Sequence, residues 1–198
     1  MTTLTATRGL PASGKTTHAR QMLAEAEPGT LVRLNRDDLR ASMHGTAHYI
    51  HVTEQQITIA QHGTARTMLR AGVNVVVDDT NLRARHLRAL AELAWQCGAE
   101  FEVADFCYVP LDVCIDRDAA RGSPVGEAVI RSMYERYLAF RRLPLPLPEK
   151  PEQVQAAPCI PEASLPAAVM VDVDGTTALH GDRVKLVNAE DFDDDERE

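Results

Sequence analysis

The sequence predicts an α/β fold in which a parallel β-sheet is wrapped by helices. Three observations lead to this prediction. Short apolar and β-branched runs recur along residues 1–143, runs suited to helices separate them, and a glycine-rich loop follows the first strand-like run. Because parallel strands need long crossover connections, which are usually helices, this alternation favours a parallel sheet.

The glycine-rich loop, residues 9–16, reads GLPASGKT and fits the P-loop pattern G-x-x-x-x-G-K-[ST] at all four fixed positions. A chance glycine loop is the alternative, but a short strand at 4–7 and a helix at 16–26 supply the context that the pattern requires. Glycines let backbone N–H groups surround phosphate oxygens, the lysine can reach the β- and γ-phosphates, and the hydroxyl after it can bind Mg²⁺. We therefore expect an ATP and Mg²⁺ site formed by Gly9, Ala12, Ser13, Gly14, Lys15, Thr16 and Thr17.

The second predicted strand, residues 30–35, runs directly into a short helix that contains Asp37 and Arg40. The carboxyl ends of parallel strands are where open α/β sheets bind their ligands, so both side chains are candidates for a functional site. The alternative is that Asp37 caps the helix and Arg40 is an exposed helical arginine.

Two acids follow the third predicted strand, residues 73–77. An apolar strand that runs into Asp78 and Asp79 resembles the Walker B arrangement, in which a buried strand delivers a carboxylate to the Mg²⁺ side of the site. One of the two acids should face the site. The alternative is that both cap the following helix, residues 83–97.

The remaining elements complete a P-loop kinase-like order of strands and helices. A long helix is predicted at 52–71, a fourth strand at 101–108, and two further helices at 111–121 and 127–140. Proline then recurs over residues 144–166, which predicts an extended linker, and residues 167–198 hold a new strand ending in D-x-D-G-T and an acidic tail.

Charge is divided unevenly along the chain. Residues 1–143 hold 17 Lys and Arg against 16 Asp and Glu, whereas residues 144–198 hold 4 against 13, within a formal net charge of −8. The first part therefore permits a polyanionic substrate. No stretch approaches the roughly 18 apolar residues of a membrane span, and the four cysteines form no C-x-x-C pair, so we expect a soluble, cytoplasmic protein with reduced thiols.

The motifs GLPASGKT, NRDDLR, VVVDDTNL, VIRSMYERY and DVDGT occur in the colinear order found in bacteriophage polynucleotide kinase/phosphatase, and the chain resembles this family over roughly residues 4 to 177. The resemblance implies an ATP-dependent kinase that phosphorylates 5′-hydroxyl ends of DNA or RNA in end repair. It further implies that Asp37 is the general base, that Arg40 holds the phosphate next to the acceptor hydroxyl, that Asp79 organises the site and its metal, and that Arg121, before Gly122, clamps the ATP phosphates together with Lys15.

The D-x-D-G-T motif departs from the family. In family phosphatase domains the first acid, here Asp172, is the nucleophile and the second, Asp174, an acid/base. Such sites also need a downstream Ser or Thr, a Lys and an acid pair on further strands. We expect an incomplete phosphatase-like segment, with the missing part absent or contributed by another chain, and a homo-oligomer is possible.

Two other functions remain open. One is a P-loop kinase of a small molecule or another acceptor, of the zeta-toxin or gluconate-kinase type. The other is a nucleotide-gated binding module, which would not need a base candidate such as Asp37.

Overall fold

Four parallel strands form the centre of the fold in residues 1–122 and 124–151, the part of the chain that the computed structural model describes. The strands are β1 Thr3–Arg8, β2 Leu31–Leu34, β3 Asn74–Val77 and β4 Glu100–Asp105. They lie in the order β2-β3-β1-β4, and Leu4 of β1 is paired with Val75 of β3 on one side and with Phe101 of β4 on the other. The predicted parallel sheet is confirmed.

Within the described residues, six helices surround this sheet in the predicted order. The short helix after β2 extends to His44. It ends there because Gly45 adopts a left-handed conformation with φ 70° and caps the helix. The helices are α1 Lys15–Glu25, α2 Arg36–His44, α3 Glu54–Arg70, α4 Ala84–Gln96, α5 Leu111–Ala119 and α6 Glu127–Tyr137, with a short 3-10 turn at His51–Thr53 before α3.

Two groups of buried apolar side chains hold the elements together. The larger one joins the sheet to α3 and α4 and includes Leu4, Val75 and Leu87. The smaller one joins the first residues after β1 and β3 to α5 and α6, through Leu10 and Leu82 among others. The loops that follow β1 and β3 are therefore anchored in the core, which fixes the positions of the polar side chains beside them.

Arg8, the last residue of β1, fixes the beginning of the predicted proline linker. It is 3% exposed, forms a salt bridge with Asp105, and donates hydrogen bonds to the carbonyl oxygens of Leu145 (3.1 Å) and Pro146 (3.0 Å). Residues 152–166 of the predicted linker and the D-x-D-G-T segment lie outside the described residues. Within the described part, no helix is both long and apolar enough to cross a membrane.

Candidate active site

The loop between β1 and α1 has the backbone that its glycines predict. Gly9 has φ 153°, and a Cβ atom there would lie 2.8 Å from Ser13 Oγ and 2.9 Å from Phe106 Cβ. Real Cβ atoms do not approach other atoms so closely, so only glycine fits. Gly14 has φ 105° and precedes the first residue of α1, so it directs the chain into the helix.

Backbone hydrogen bonds fix both sides of this loop. Gly9 N donates to Thr80 O at 3.0 Å, which joins the loop to the segment after β3, and Ser13 N donates to Leu10 O at 3.2 Å. Ala12 takes a left-handed conformation with φ 60°, which a residue with a Cβ seldom adopts. The loop is thus a preformed turn at the amino end of α1, where helix backbone N–H groups attract anions.

Lys15 begins α1 and lies against the loop. Its side chain is 7% exposed, and Nζ donates hydrogen bonds to Leu10 O at 2.5 Å and to Ser13 Oγ at 3.4 Å. Burial lowers the pKa of Lys15 to about 8, an effect that Asp78 opposes and Arg121 reinforces. The ammonium remains mostly charged at neutral pH, and its hydrogen bonds to the loop hold it close to the backbone that would surround phosphates.

Asp78, rather than Asp79, lies beside the loop. Thr16 Oγ1 donates a hydrogen bond to Asp78 Oδ1 at 3.2 Å, and Arg33 Nε donates to Asp78 Oδ2 at 2.8 Å. Asp78 is 1% exposed. A buried carboxylate next to the P-loop hydroxyl is the Walker B arrangement that the sequence indicates, and the first of the two acids occupies it.

Asp79 points toward a different part of the site. It accepts hydrogen bonds from the backbone N–H of Arg36 (3.0 Å) and from Gln61 Nε2 (2.7 Å), and burial raises its pKa to about 6. The expectation that Asp79 and Thr16 share a metal ion does not agree with this geometry, because Asp79 supports the start of α2. The alternative in which both acids cap α4 does not agree with the structure, since no side chain forms a cap hydrogen bond at the start of that helix.

Asp37 and Arg40 are brought together on α2. Asn35, not Asp37, caps the helix, because its side chain accepts from Asp38 N at 3.1 Å. The side chain of Asp37 is therefore free to face outward, with 68% exposure, and it pairs with Arg40 Nη1 at 2.5 Å. Arg40 is 9% exposed, so the alternative of an exposed helical arginine is wrong.

Glu54, the first residue of α3, holds Arg40 in place. Its carboxylate accepts hydrogen bonds from Arg40 Nε at 2.6 Å and Arg40 Nη2 at 3.1 Å, and also from Arg36 Nη2 at 2.7 Å. The hydrogen bond from Arg40 and that from Arg36 outweigh desolvation and lower the pKa of Glu54 to about 2. One fixed carboxylate thus orients the arginine that contacts Asp37.

Arg121 lies in the connection between α5 and α6 and is exposed. Its Nη1 is 3.7 Å from Asp118 Oδ1. Arg121 lies near enough to Lys15 that its charge contributes to the lowered pKa of that lysine.

Comparison with known proteins identifies the family of the chain. Residues 4–142 match the model of a family described as an AAA domain. The chain belongs to this AAA-domain family. Together with the fold and the loop, this match identifies the chain as a P-loop kinase with a nucleotide-binding P-loop, a member of a phosphotransferase superfamily.

Two curated relatives of this AAA-domain chain are kinases by name. One, from Autographa californica nuclear polyhedrosis virus, is called "Putative bifunctional polynucleotide kinase/RNA ligase" and is 25% identical over 190 residues, which cover 88% of this chain and 25% of that protein. The other is L-seryl-tRNA(Sec) kinase of Methanococcus maripaludis, 27% identical over 132 residues, covering 65% of this chain and 50% of that protein. The chain thus spans from a quarter to half of the length of these relatives.

Solved structures support the fold. A chain of the Pnkp1/Rnl/Hen1 RNA repair complex superposes with a TM-score of 0.61 at 24% identity, covering 69% of this chain and 44% of the other. Kti12 of Chaetomium thermophilum in complex with ADP-AlF3 superposes with a TM-score of 0.53 at 21% identity, covering 68% and 79%.

The AAA-domain chain also has site residues that the motifs did not single out. Glu54 had only a weak signal in the sequence, a single acid at the start of the long helix after NRDDLR. Gln61 lies seven residues, or about two turns, further along α3, and its side chain contacts Asp79. The asparagine of NRDD carried a capping signal that identifies Asn35 rather than Asp37, since Asn is a preferred cap residue.

Proposed function

We propose that this protein transfers the γ-phosphate of ATP to the 5′-hydroxyl end of DNA or RNA, as in nucleic-acid end repair. One observation carries the proposal: the exposed carboxylate of Asp37 is paired with a buried, carboxylate-anchored arginine at the end of β2, in the same sheet whose β1 ends in the P-loop. The named activity of the viral relative supports the same acceptor.

The residues present suit ATP and Mg²⁺. Gly9 and Gly14 adopt φ values of 153° and 105°, which favour glycine and let the backbone turn toward a phosphate, and Lys15 supplies a cation beside them. The Thr16 hydroxyl and the Asp78 carboxylate are oxygen donors 3.2 Å apart, the ligand type that Mg²⁺ prefers, so we assign the metal to this pair. Bound Mg²⁺ would neutralise negative charge on the transferring phosphoryl group.

Asp37 is the candidate base. Phosphoryl transfer proceeds through a loose transition state, so the carboxylate has to orient the attacking hydroxyl and accept its proton late. Arg40 positions Asp37, and its guanidinium, held by Glu54 through Nε and Nη2, retains N–H groups for a phosphate next to the acceptor hydroxyl. Arg121 is assigned to the ATP phosphates because it lies on the Lys15 side.

The competing proposal is a kinase of another acceptor. The relative from Methanococcus maripaludis is named for seryl-tRNA. The alternative acceptors are therefore a hydroxyl group linked to a nucleic acid, as in seryl-tRNA, and the hydroxyl group of a small molecule. Acceptor choice separates these proposals. Incubation with labelled ATP and, in parallel, a 5′-hydroxyl oligonucleotide, seryl-tRNA, gluconate or nucleoside monophosphates should label the oligonucleotide end most rapidly.

Asp37→Asn tests the proposed base, and Asp38→Asn is its matched control. Asp38 is adjacent and equally exposed, but it pairs with Arg33. We expect Asp37→Asn to lower kcat by roughly 10² or more with little change in the KM for ATP, because general base catalysis contributes about that factor. Asp38→Asn should change kcat by less than a few-fold. Equal losses in both variants would exclude Asp37 as the base.

A further inference from the structure

A cavity of about 660 Å³ opens next to the P-loop, between the first residues of α4, the end of α6 and residues 145–148. Asn81 and Leu82, which line it, directly follow Thr80, whose carbonyl oxygen accepts the hydrogen bond from Gly9. The volume is in the range of sites for ligands of nucleotide size. The proposed kinase reaction does not use this cavity.

The charged groups that line the cavity are all arginines. No Asp or Glu is among its lining residues. Arg8 is neutralised by Asp105, but within residues 1–122 and 124–151 none of the other guanidinium groups forms a salt bridge. Like charges gathered at one opening attract an anion strongly. These unpaired arginines are Arg83, Arg85, Arg88, Arg136 and Arg141.

Tyr137 fixes the position of two of these arginines. Arg83 Nε donates a hydrogen bond to the Tyr137 hydroxyl at 2.9 Å, and the guanidinium of Arg136 lies 5.5 Å from the centre of the Tyr137 ring. The tyrosine therefore arranges arginines from α4 and α6 around one opening. Neither contact neutralises their charge.

The arginines are spread too widely for a single phosphate. From Arg83 to Arg88 the chain advances about 7.5 Å along the helix axis at 1.5 Å per residue. Arg141 lines the cavity from a different segment. A ligand that satisfies all of them must carry several negative charges in a row, as a polynucleotide backbone does.

The cavity and Asp37 follow neighbouring strands of the sheet. Asp37 comes after β2, and the cavity residues Asn81 and Arg83 come after β3, which is paired with β2 in parallel. The carboxyl ends of neighbouring parallel strands lie at the same edge of a sheet. A strand whose 5′ end is at Asp37 can therefore extend past the end of β3 toward the cavity.

We propose that this arginine-lined cavity binds backbone phosphates of single-stranded nucleic acid several nucleotides away from the 5′ end. The proposal rests on the proposed function for the identity of the strand. It predicts that affinity for an acceptor rises with its length until the cavity is filled.

Binding can be measured without catalysis, by fluorescence anisotropy of 5′-hydroxyl oligonucleotides that carry a dye at the 3′ end. The test variant is Arg88→Gln with Arg141→Gln, and the matched control is Arg20→Gln with Arg70→Gln, two exposed arginines outside the cavity that remove the same charge. We expect the test variant to bind a 15-mer roughly tenfold more weakly. The logarithm of the association constant decreases as the logarithm of the salt concentration increases. This slope should become shallower by about 1.4 in the test variant, because each phosphate contact to a single strand contributes about 0.7 and two contacts are removed.

The loss of affinity in the test variant should increase with the length of the oligonucleotide, from a 3-mer to a 15-mer. Equal losses in the control variant, or a loss that does not depend on length, would overturn the cavity assignment. Tighter binding of an oligo-aspartate peptide than of the 15-mer by the wild type, lost in the test variant, would also overturn it. Thermal melts of all variants check that the fold is retained.

The transfer assay separates the two proposals. If no 5′-hydroxyl end is phosphorylated but the test variant still loses length-dependent binding, the cavity proposal stands and the kinase proposal fails. If the 15-mer is phosphorylated and its KM is the same in wild type and test variant, the kinase proposal stands and the cavity proposal fails.

Discussion

The P-loop can form only because Gly9 has a hydrogen atom in place of a side chain. Gly9→Ala would place a methyl group 2.8 Å from Ser13 Oγ and 2.9 Å from Phe106 Cβ in a backbone with φ 153°. Overpacking of this kind costs about 1–3 kcal/mol. We expect Gly9→Ala to weaken nucleotide binding at least tenfold, as measured by calorimetry, and to lower the unfolding free energy by a similar 1–3 kcal/mol.

Gly63 provides the matched control for Gly9. It lies in α3, is exposed, and has no neighbouring atom within 4 Å of the position that a Cβ would take. Gly63→Ala should stabilise the protein by up to about 1 kcal/mol, because alanine favours a helix interior over glycine. Equal destabilisation by both substitutions would show that the clash at Gly9 is not the cause.

Glu54 should make the free energy of unfolding depend on pH in the acid range. Hydrogen bonds from Arg40 and Arg36 lower the pKa of Glu54 from 4.5 to about 2, so folding favours its ionised form. Its stabilising contribution is fully present above about pH 4.5 and is lost as the pH falls through about 2. At neutral pH, Glu54→Gln should lower the unfolding free energy by up to about 3.5 kcal/mol, since the pKa is lowered by about 2.5 units and one pKa unit corresponds to about 1.4 kcal/mol.

Chemical denaturation of wild type and Glu54→Gln across pH 2 to 7 measures this contribution. The difference between the two proteins should narrow as the pH falls below 4.5. Glu127→Gln is the control, because Glu127 forms an exposed pair with Arg131 that should contribute less than about 1 kcal/mol. A difference that stays constant down to pH 2 would contradict the role of the Glu54 charge.

At the scale of elements, the sequence predicts the fold well because the period of its apolar residues is local information. All strands and helices of the described part occur in the predicted order, since buried parallel strands such as β3 need continuous apolar runs. The site is predicted less completely. The order of Asp78 and Asp79 after β3 does not say which carboxylate turns toward Thr16, because that depends on how the chain leaves the strand.

The contact of Glu54 with Arg40 also escapes sequence reasoning. The two residues are 14 positions apart and meet only because α2 and α3 pack against each other. Motif spacing identifies the loop and the helix after β2. It cannot identify a partner that tertiary packing supplies.

The connection between α5 and α6 is the element that carries Arg121. If this arginine contacts the ATP phosphates, Arg121→Ala should raise the KM for ATP or lower kcat about tenfold or more, while the KM for the oligonucleotide stays within a few-fold. Steady-state kinetics with each substrate varied in turn makes the distinction. Arg131→Ala, on α6 and similarly exposed, should leave both parameters unchanged. Unchanged kinetics in Arg121→Ala would leave it a surface residue.

At the scale of the whole molecule, the division of charge should influence substrate binding. Residues 1–143 are nearly neutral, whereas residues 144–198 carry a strong negative excess that repels or competes with a polyanion. Replacing Asp193, Asp194 and Asp195 with Asn in the full chain should strengthen oligonucleotide binding a few-fold at about 20 mM salt. Screening should remove most of the gain at about 300 mM. Anisotropy titrations at both salt concentrations would test this, and a gain of equal size at both would contradict an electrostatic origin.

The hydrogen bonds of Arg8 also determine when this domain can finish folding during its synthesis. The two carbonyl groups that accept its hydrogen bonds are 137 and 138 residues further along the chain, so they are synthesised well after Arg8. Until Leu145 and Pro146 have left the ribosome, those guanidinium donors lack their acceptors, and an unpaired buried donor costs about 1–3 kcal/mol. Arg8 directly precedes Gly9, so the phosphate-binding loop is synthesised long before the contacts that secure the residue beside it.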